Sequence, residues 1–550
     1  MLKRFKALSA GGDLEKKHLI KSLPKGDALL FLTVLSLLLL RYFWRGVAYF
    51  PHLDDYIQYH NYRSYYGTVA KAVSDLGLLK ARPFAGVLDV GFWSLFWSNL
   101  WLTVIIIALL YVLSAMFLKK VFSRYFPVSD LFVIIFCLIP FGFEPFYWLS
   151  AASRIVVGLF FASASLLLFQ QFLDRGSAIR ILGSLLLQLV SFGFYEQALV
   201  FSLAATFLIA ILALLNKNKR AYFALLSLLN ILIFFGITSL QSASVLYDKR
   251  MNLVLPFMGE GFLQNLKGCL KQLLAGAASC LAICFVSPIR ALSKLWEYKA
   301  FLPVLILAAI SFVYYKRLKK PDGEEKSRTD FAKGIVFSIL LTAAPISIFF
   351  VLKDQSIPLR NLAFSFVGLS MLVDLLLSRL IKSEKIIRVL SVIIIVFFTL
   401  GSFFELDSIK ISFDNDDRAA EVLYKYDFPE SSAVIGLEPY WENKQVFSSL
   451  EQLPSSCSSS WSLTGMLRCK SLNHSFPMLT PISERRPYYG WLKEVNLLSN
   501  FEHVFHYSEG SLTALDVKAI DETSFELYSN GQLYAVMYEE NGEGIFQKIG

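Results

Sequence analysis

The chain has 550 residues, 55% of them hydrophobic and 17% charged, with a formal net charge of +10 and a mean hydropathy of +0.53. About a quarter of a soluble domain's residues are charged, so an ordinary soluble globule is excluded. The basic excess falls in loops between apolar blocks, so nucleic acid is not an expected partner.

Lysines and arginines crowd the N-terminal segment 1–27, from Lys3 to Lys25. The first apolar block is too long for a cleavable signal and has no small-residue cleavage site after it, so it reads as an uncleaved anchor. Blocks near the length a helix needs to cross the hydrocarbon core follow near 28–48, 96–118, 129–143, 155–172, 179–194, 197–215, 222–240, 301–315, 333–352, 361–378 and 388–405. Every second loop is basic: Lys119–Arg124, Arg175–Arg180, Lys217–Arg220, Lys316–Lys333 and Arg379–Arg388. The positive-inside rule puts these in the cytoplasm, so the other loops and everything after residue 405 face outward.

Residues 241–300 must begin and end outside, yet Leu270–Val286 is apolar enough to cross. A hairpin half, a re-entrant segment and an interfacial amphipathic helix all stay open there. The predicted fold is therefore an all-α polytopic membrane domain over 28–405, with about 11–13 spans. From Leu406 to Gly550 the composition changes to 21 acidic and 11 basic residues. This is long enough for a core of its own, and it reads as a small extracytoplasmic α+β domain. Ser432–Leu437 and Phe525–Tyr538 read as strands, the second broken by the hairpin signal Asn530-Gly531. Cys457 and Cys469 could pair in an oxidising compartment.

The first external loop, 49–95, is unusually long beside its neighbours and opens Phe50-Pro-His-Leu-Asp-Asp-Tyr56. Two adjacent carboxylates at a membrane surface are costly unless something uses them, and long loops commonly carry sites. Asp54 and Asp55 are the leading candidates, against the plainer reading that one of them caps a helix starting near Tyr56. Further ionisable groups recur on the same side: Arg82, Glu144, Arg154, Tyr195-Glu196, Lys353 and Arg360. Such residues at membrane depth are functional candidates by default, and their recurrence on one side predicts a shared outward cavity. No metal-ligand spacing, glycine-rich phosphate loop or nucleophile elbow is present.

A first span, a long external loop opening with Asp54-Asp55, many further spans and an external C-terminal domain together resemble the GT-C class of integral membrane glycosyltransferases. The pairing of Asp54-Asp55 with Arg82-Pro83 is similar to the Gtr-type serotype-converting glucosyltransferases. The resemblance covers the whole topology, but its specific residues lie within 51–93. It implies a polyprenyl-phosphate-linked sugar as donor, with Asp54 or Asp55 as base; Arg82 and Arg360 match more loosely.

The topology fits that chemistry. Nucleotide sugars are cytoplasmic, so an outward-facing transferase needs a lipid-borne donor, with a cell-surface glycan or glycolipid as acceptor. A carboxylate can take the acceptor hydroxyl's proton, and a guanidinium suits the leaving phosphate. Arg360, Arg82, Lys353 and Arg154 are the candidates for that phosphate; Glu144, Tyr195, Glu196 and Tyr56 are those for acceptor or sugar. A divalent ion, Mg or Mn, is permitted by the acidic pair, which alone supplies too few ligands. A polysaccharide polymerase or ligase is a competing class, though such enzymes lean on a late external loop. A lipid or glycan transporter is another, though it should show repeats or mid-span charges, and neither is evident here.

Overall fold

A computed structural model describes residues 25–80, 82–140, 143–240, 260–317, 328–350, 357, 359–381, 383–437, 455–482, 484, 498–521, 524–540 and 543–549. The protein is mostly helical up to residue 423, and a mixed sheet follows.

Helix α1 (Lys25–Phe43) comes first, then the loop that carries α2 (Pro83–Gly91). The bundle continues through α3 (Leu100–Phe122), α4 (Asp130–Leu138), α5 (Leu149–Arg175), α6 (Ala178–Phe192), α7 (Glu196–Leu215), α8 (Ser227–Ser239), α9 (Glu260–Glu297), α10 (Phe301–Arg317), α11 (Arg328–Ile346), α12 (Ser365–Leu380) and α13 (Glu384–Leu423). Among the described residues, eight helical segments are long and apolar enough to cross a membrane; α6 and α10 are shorter apolar helices. At 1.5 Å per residue, α1 is about 28 Å long, close to the thickness of a hydrocarbon core.

Three expectations change. The open segment 241–300 contains α9, one 38-residue helix with Pro288 inside it, apolar enough to cross; 241–259 lies outside the described residues. The expected span 129–143 is regular helix only over the nine residues of α4. That helix is buried on every side and held at both ends from other helices. Asp374 of α12 accepts from the Ser129 N–H (2.8 Å) at its N-terminus. The fully buried Arg41 of α1 donates to the Cys137 carbonyl (3.1 Å) at its C-terminus. Negative charge at a helix start and positive charge at its end both oppose the macrodipole favourably. Thirdly, the helix of the last expected span does not end with it near 405; α13 runs unbroken to Leu423 and carries Ala419, Ala420 and Leu423 into the core of the following domain.

Contacts sort the loops into two ends. Lys119 bridges Asp27 (3.1 Å) and Asp130 (2.5 Å), and Arg124 meets Asp174 (3.4 Å) at one. Arg82 meets Glu196, Arg360 meets Glu144, and Tyr195 donates to Asn361 at the other. The basic loop Lys119–Arg124 lies at the first of these ends. If the basic end is cytoplasmic, a reporter fused to the C-terminus is active only outside the cytoplasm, and a cysteine at Lys219 is shielded from impermeant thiol reagents in intact cells. Labelling at Lys219 would reverse the assignment.

The C-terminal domain begins with β1 (Ser432–Ile435), crosses through α14 (Ser460–Ser471) to β2 (Leu479–Ile482), and continues with β3 (His503–Ser508), β4 (Ser511–Ala519), β5 (Phe525–Ser529), β6 (Gln532–Glu540) and β7 (Glu543–Lys548). Strand order is β2-β1-β3-β4-β5-β6-β7, with β2, β1 and β3 parallel and the rest antiparallel. The expected hairpin is present: Asn530 (φ 50°) and Gly531 (φ 76°) both take the positive φ of a type I′ turn joining β5 to β6. Cys457 and Cys469 are both free thiols, so the disulfide allowed by the sequence is not formed. Cys469 Sγ lies 3.3 Å from Asn61 Oδ1 instead.

This domain sits directly on the loop between α1 and α3. Gly465 of α14 lies so close to that loop that a Cβ would meet Ile57 Cγ1 at 2.9 Å. Asn61 Nδ2 donates to the Gly465 carbonyl (3.3 Å), and the Leu53 N–H donates to Ser456 Oγ (3.0 Å).

Candidate active site

The loop leaving α1 must reverse direction before it reaches the acidic pair. It does so at His52–Asp55, where the Asp55 N–H donates to the His52 carbonyl (3.0 Å). Leu53 stands at φ 46°, ψ −113°, a conformation that favours glycine. A bulky residue holds it only where surrounding contacts over-determine it. Here Leu53 is buried, and its N–H is fixed from the C-terminal domain.

That turn separates the fates of the two carboxylates. Asp55 is fully buried and saturated. It accepts from Tyr49 Oη (2.6 Å), the His52 N–H (3.0 Å), the Ser150 N–H (3.0 Å) and the Ser150 hydroxyl. Ser150 is the second residue of α5, in its first turn, so Asp55 serves that helix as an N-terminal cap supplied from a distant loop. The N-cap position of the helix starting at Asp54 is held by Leu53 and not by either carboxylate. Burial pushes the Asp55 carboxyl up to about 7, against the four bonds that favour its ionised form. Asp54 is only half-buried, and its charge reaches both Arg360 and Asp89.

Around it stand three arginine–carboxylate pairs from different elements. Arg82, at the start of α2, makes a two-pronged contact with Glu196 of α7 (Nε to Oε1 3.0 Å, Nη2 to Oε2 2.9 Å). Arg154 of α5 donates to Asp89 of α2 (3.0 Å). Arg360 pairs with Glu144. Asp89 and Glu144 side chains are 2% and 4% exposed, whereas those of Arg154 and Arg360 are 17% and 36% exposed. In these two pairs the carboxylate is therefore the backing and the guanidinium the presented face. Burial raises the Asp89 and Glu144 carboxyls, and their arginines pull them back toward ionisation. Burial also works against the charge on Arg360, but Glu144, Tyr195 and the more distant Asp54 outweigh it.

Aromatic rings and an amide tie the pairs together. The Arg82 guanidinium lies over the Tyr195 ring (4.3 Å), and that of Arg360 over Trp148 (5.4 Å). Tyr195 Oη donates to Asn361 Oδ1 (2.6 Å), joining the entry of α7 to the residue after Arg360.

The structure thus brings together Asp54, Arg82, Glu144, Arg154, Tyr195, Glu196 and Arg360. Tyr56 is not with them; it is buried in the C-terminal core against Trp97. Lys353 lies outside the described residues. Sequence reasoning missed Asp89, the buried partner of Arg154; a lone acid in the apolar run 83–93 was the signal for it. It also missed Tyr49 and Ser150, which no sequence pattern marks as partners of Asp55.

Among the described residues no group of three His, Cys, Asp or Glu side chains is placed to hold a metal ion. Both Asp55 oxygens are taken by N–H and O–H donors, so the acidic pair does not offer two carboxylates to a cation. No family model matches the chain, and no curated protein matches its sequence.

Proposed function

We propose that the protein is an integral membrane glycosyltransferase of the cell membrane. In this reading it moves a sugar from a polyprenyl-phosphate donor to a hydroxyl of a cell-surface glycan or glycolipid, on the outer side. The observation that carries the reading is the convergence of three guanidiniums, each held by a carboxylate, at the bundle end where Asp54 lies. Asp54 accepts the acceptor hydroxyl's proton as that oxygen bonds to the anomeric carbon. The bond from that carbon to the phosphate oxygen breaks, and its electron pair leaves with the polyprenyl phosphate. The arginine cluster meets the charge that develops there. Fixed guanidiniums need no reorganisation during the reaction, which is the value of backing them with carboxylates.

The direct test is release of polyprenyl phosphate from a polyprenyl-phosphate hexose by the purified protein in lipid nanodiscs with cell-surface glycan added. No release sinks the reading. Within that assay, Arg360→Lys is informative because a lysine is a point charge without the planar fork. We expect Arg360→Lys to lower the rate about tenfold and Arg360→Ala about a hundredfold, chiefly through the donor KM and kcat rather than the acceptor KM. A snorkelling arginine would tolerate lysine, so wild-type kinetics in both variants would remove Arg360 from the site.

A further inference from the structure

We propose that the C-terminal domain contains a second ligand site, a saccharide-binding cleft at the carboxyl ends of β1 and β3. The sheet topology places it. In the parallel part of the sheet, β1 lies between β2 and β3; its crossover through α14 leads to β2 on one flank, and β3 lies on the other. Strand order reverses between β1 and β3, and open α/β sheets bind ligands in the crevice beyond the carboxyl ends at such a point.

A cavity of about 600 Å³ occupies that position, a size typical of small-molecule sites. Gly436 and Leu437 line it just past β1, Tyr507 and Glu509 at the end of β3, and Asn415 and Arg418 from the last turns of α13. The backbone is shaped for it. Gly436 stands at φ +89°, and a Cβ there would meet the Tyr507 carbonyl oxygen at 2.4 Å. Glu509 (φ 49°) and Gly510 (φ 80°) form a two-residue turn of positive φ that ends β3 at the cavity wall.

The lining favours a neutral, hydroxyl-rich ligand. Arg418 and Glu509 carry opposite charges, so the wall has no concentrated charge for a free anion. The Arg418 guanidinium is held in place by the Asp414 carbonyl (3.2 Å) and the Asn415 amide oxygen (3.5 Å), and with the Glu509 carboxylate it sets a donor and an acceptor on the same wall, a pairing that matches neighbouring hydroxyls. The Tyr507 ring and Leu437 supply the apolar face that a sugar's C–H side needs.

The cleft is mechanically joined to the acidic loop. Asp416, next to Asn415, accepts from Ser455 Oγ (2.5 Å) and the Ser456 N–H (2.6 Å), while Ser456 Oγ accepts from the Leu53 N–H, one residue before Asp54. Identifying the bound saccharide as part of the acceptor glycan rests on the transferase reading; the cleft itself does not.

The experiment is therefore binding, without catalysis, on the full chain in nanodiscs. Saturation-transfer NMR is run with methyl α-glucoside, methyl α-mannoside, methyl β-galactoside and N-acetylglucosamine, with alanine as a zwitterionic control. We expect at least one sugar to bind, with affinity lowered about tenfold or more by Tyr507→Ala and by Arg418→Ala. Arg418 is exposed, so its variant keeps the fold. Tyr507→Phe should bind as wild type. Binding of none of the sugars, binding of alanine alone, or sugar binding indifferent to both alanine variants overturns the cleft. Sugar binding with those sensitivities, in a protein that releases no polyprenyl phosphate, keeps the cleft and removes only the acceptor assignment.

Discussion

Asp54→Asn is expected to lower sugar transfer by about 10²–10⁴-fold, the usual worth of a positioned general base, with thermal midpoint and elution profile unchanged. The variant keeps the shape of the side chain and loses only the ionisable oxygen. Because Asp54 is half-buried and sits beside the arginine cluster, little packing depends on it. Asp54→Glu should recover part of the rate, because the carboxylate returns about one bond out of place. A wild-type rate in Asp54→Asn would falsify the assignment of Asp54 as base and leave Glu144, buried behind Arg360, as the next acid to test.

Asp55→Ala is expected to fail differently, as a folding defect. It strips acceptors from Tyr49 Oη, the His52 N–H and both donors of Ser150, all of them buried. Buried donors left unpaired cost about 1–3 kcal/mol each, so the loss should reach at least about 3 kcal/mol and show as a fall in the thermal midpoint. Asp55→Asn is milder and carries a pH signature. The folded carboxyl is raised from 3.8 to about 7. Its contribution to stability is therefore complete below the unfolded value and is lost as pH climbs through about 7. Between pH 5 and 8 the wild-type midpoint should fall relative to that of Asp55→Asn, which has no proton to lose there. Parallel curves would show that Asp55 is ionised throughout.

Much of this architecture was legible from residue order. Apolar blocks of membrane-crossing length placed most of the helices, and the acidic tail marked out the part of the chain that carries the sheet. Asn530-Gly531 placed a hairpin because few other residue pairs accept two successive positive φ angles. These features are local: backbone hydrogen bonding and side-chain periodicity act within a few residues, so order alone determines them. The recurrence of Arg82, Glu144, Arg154, Glu196 and Arg360 at alternate loops was visible for the same reason.

What order alone left open was which groups meet. Asp54 and Asp55 are chemically identical neighbours; only the turn at Leu53, fixed by a hydroxyl some four hundred positions later, sends one into the start of α5 and leaves the other beside the arginines. Likewise Asp89 looked like one acid in an apolar run until α2 packed it against Arg154. The reach of α9 and α13 also depended on the assembled bundle, since helix ends are set by the partners that satisfy their terminal groups. Burial, charge pairing and the crevice beyond β1 and β3 are properties of surfaces brought together from distant segments. They come into being only when the chain packs.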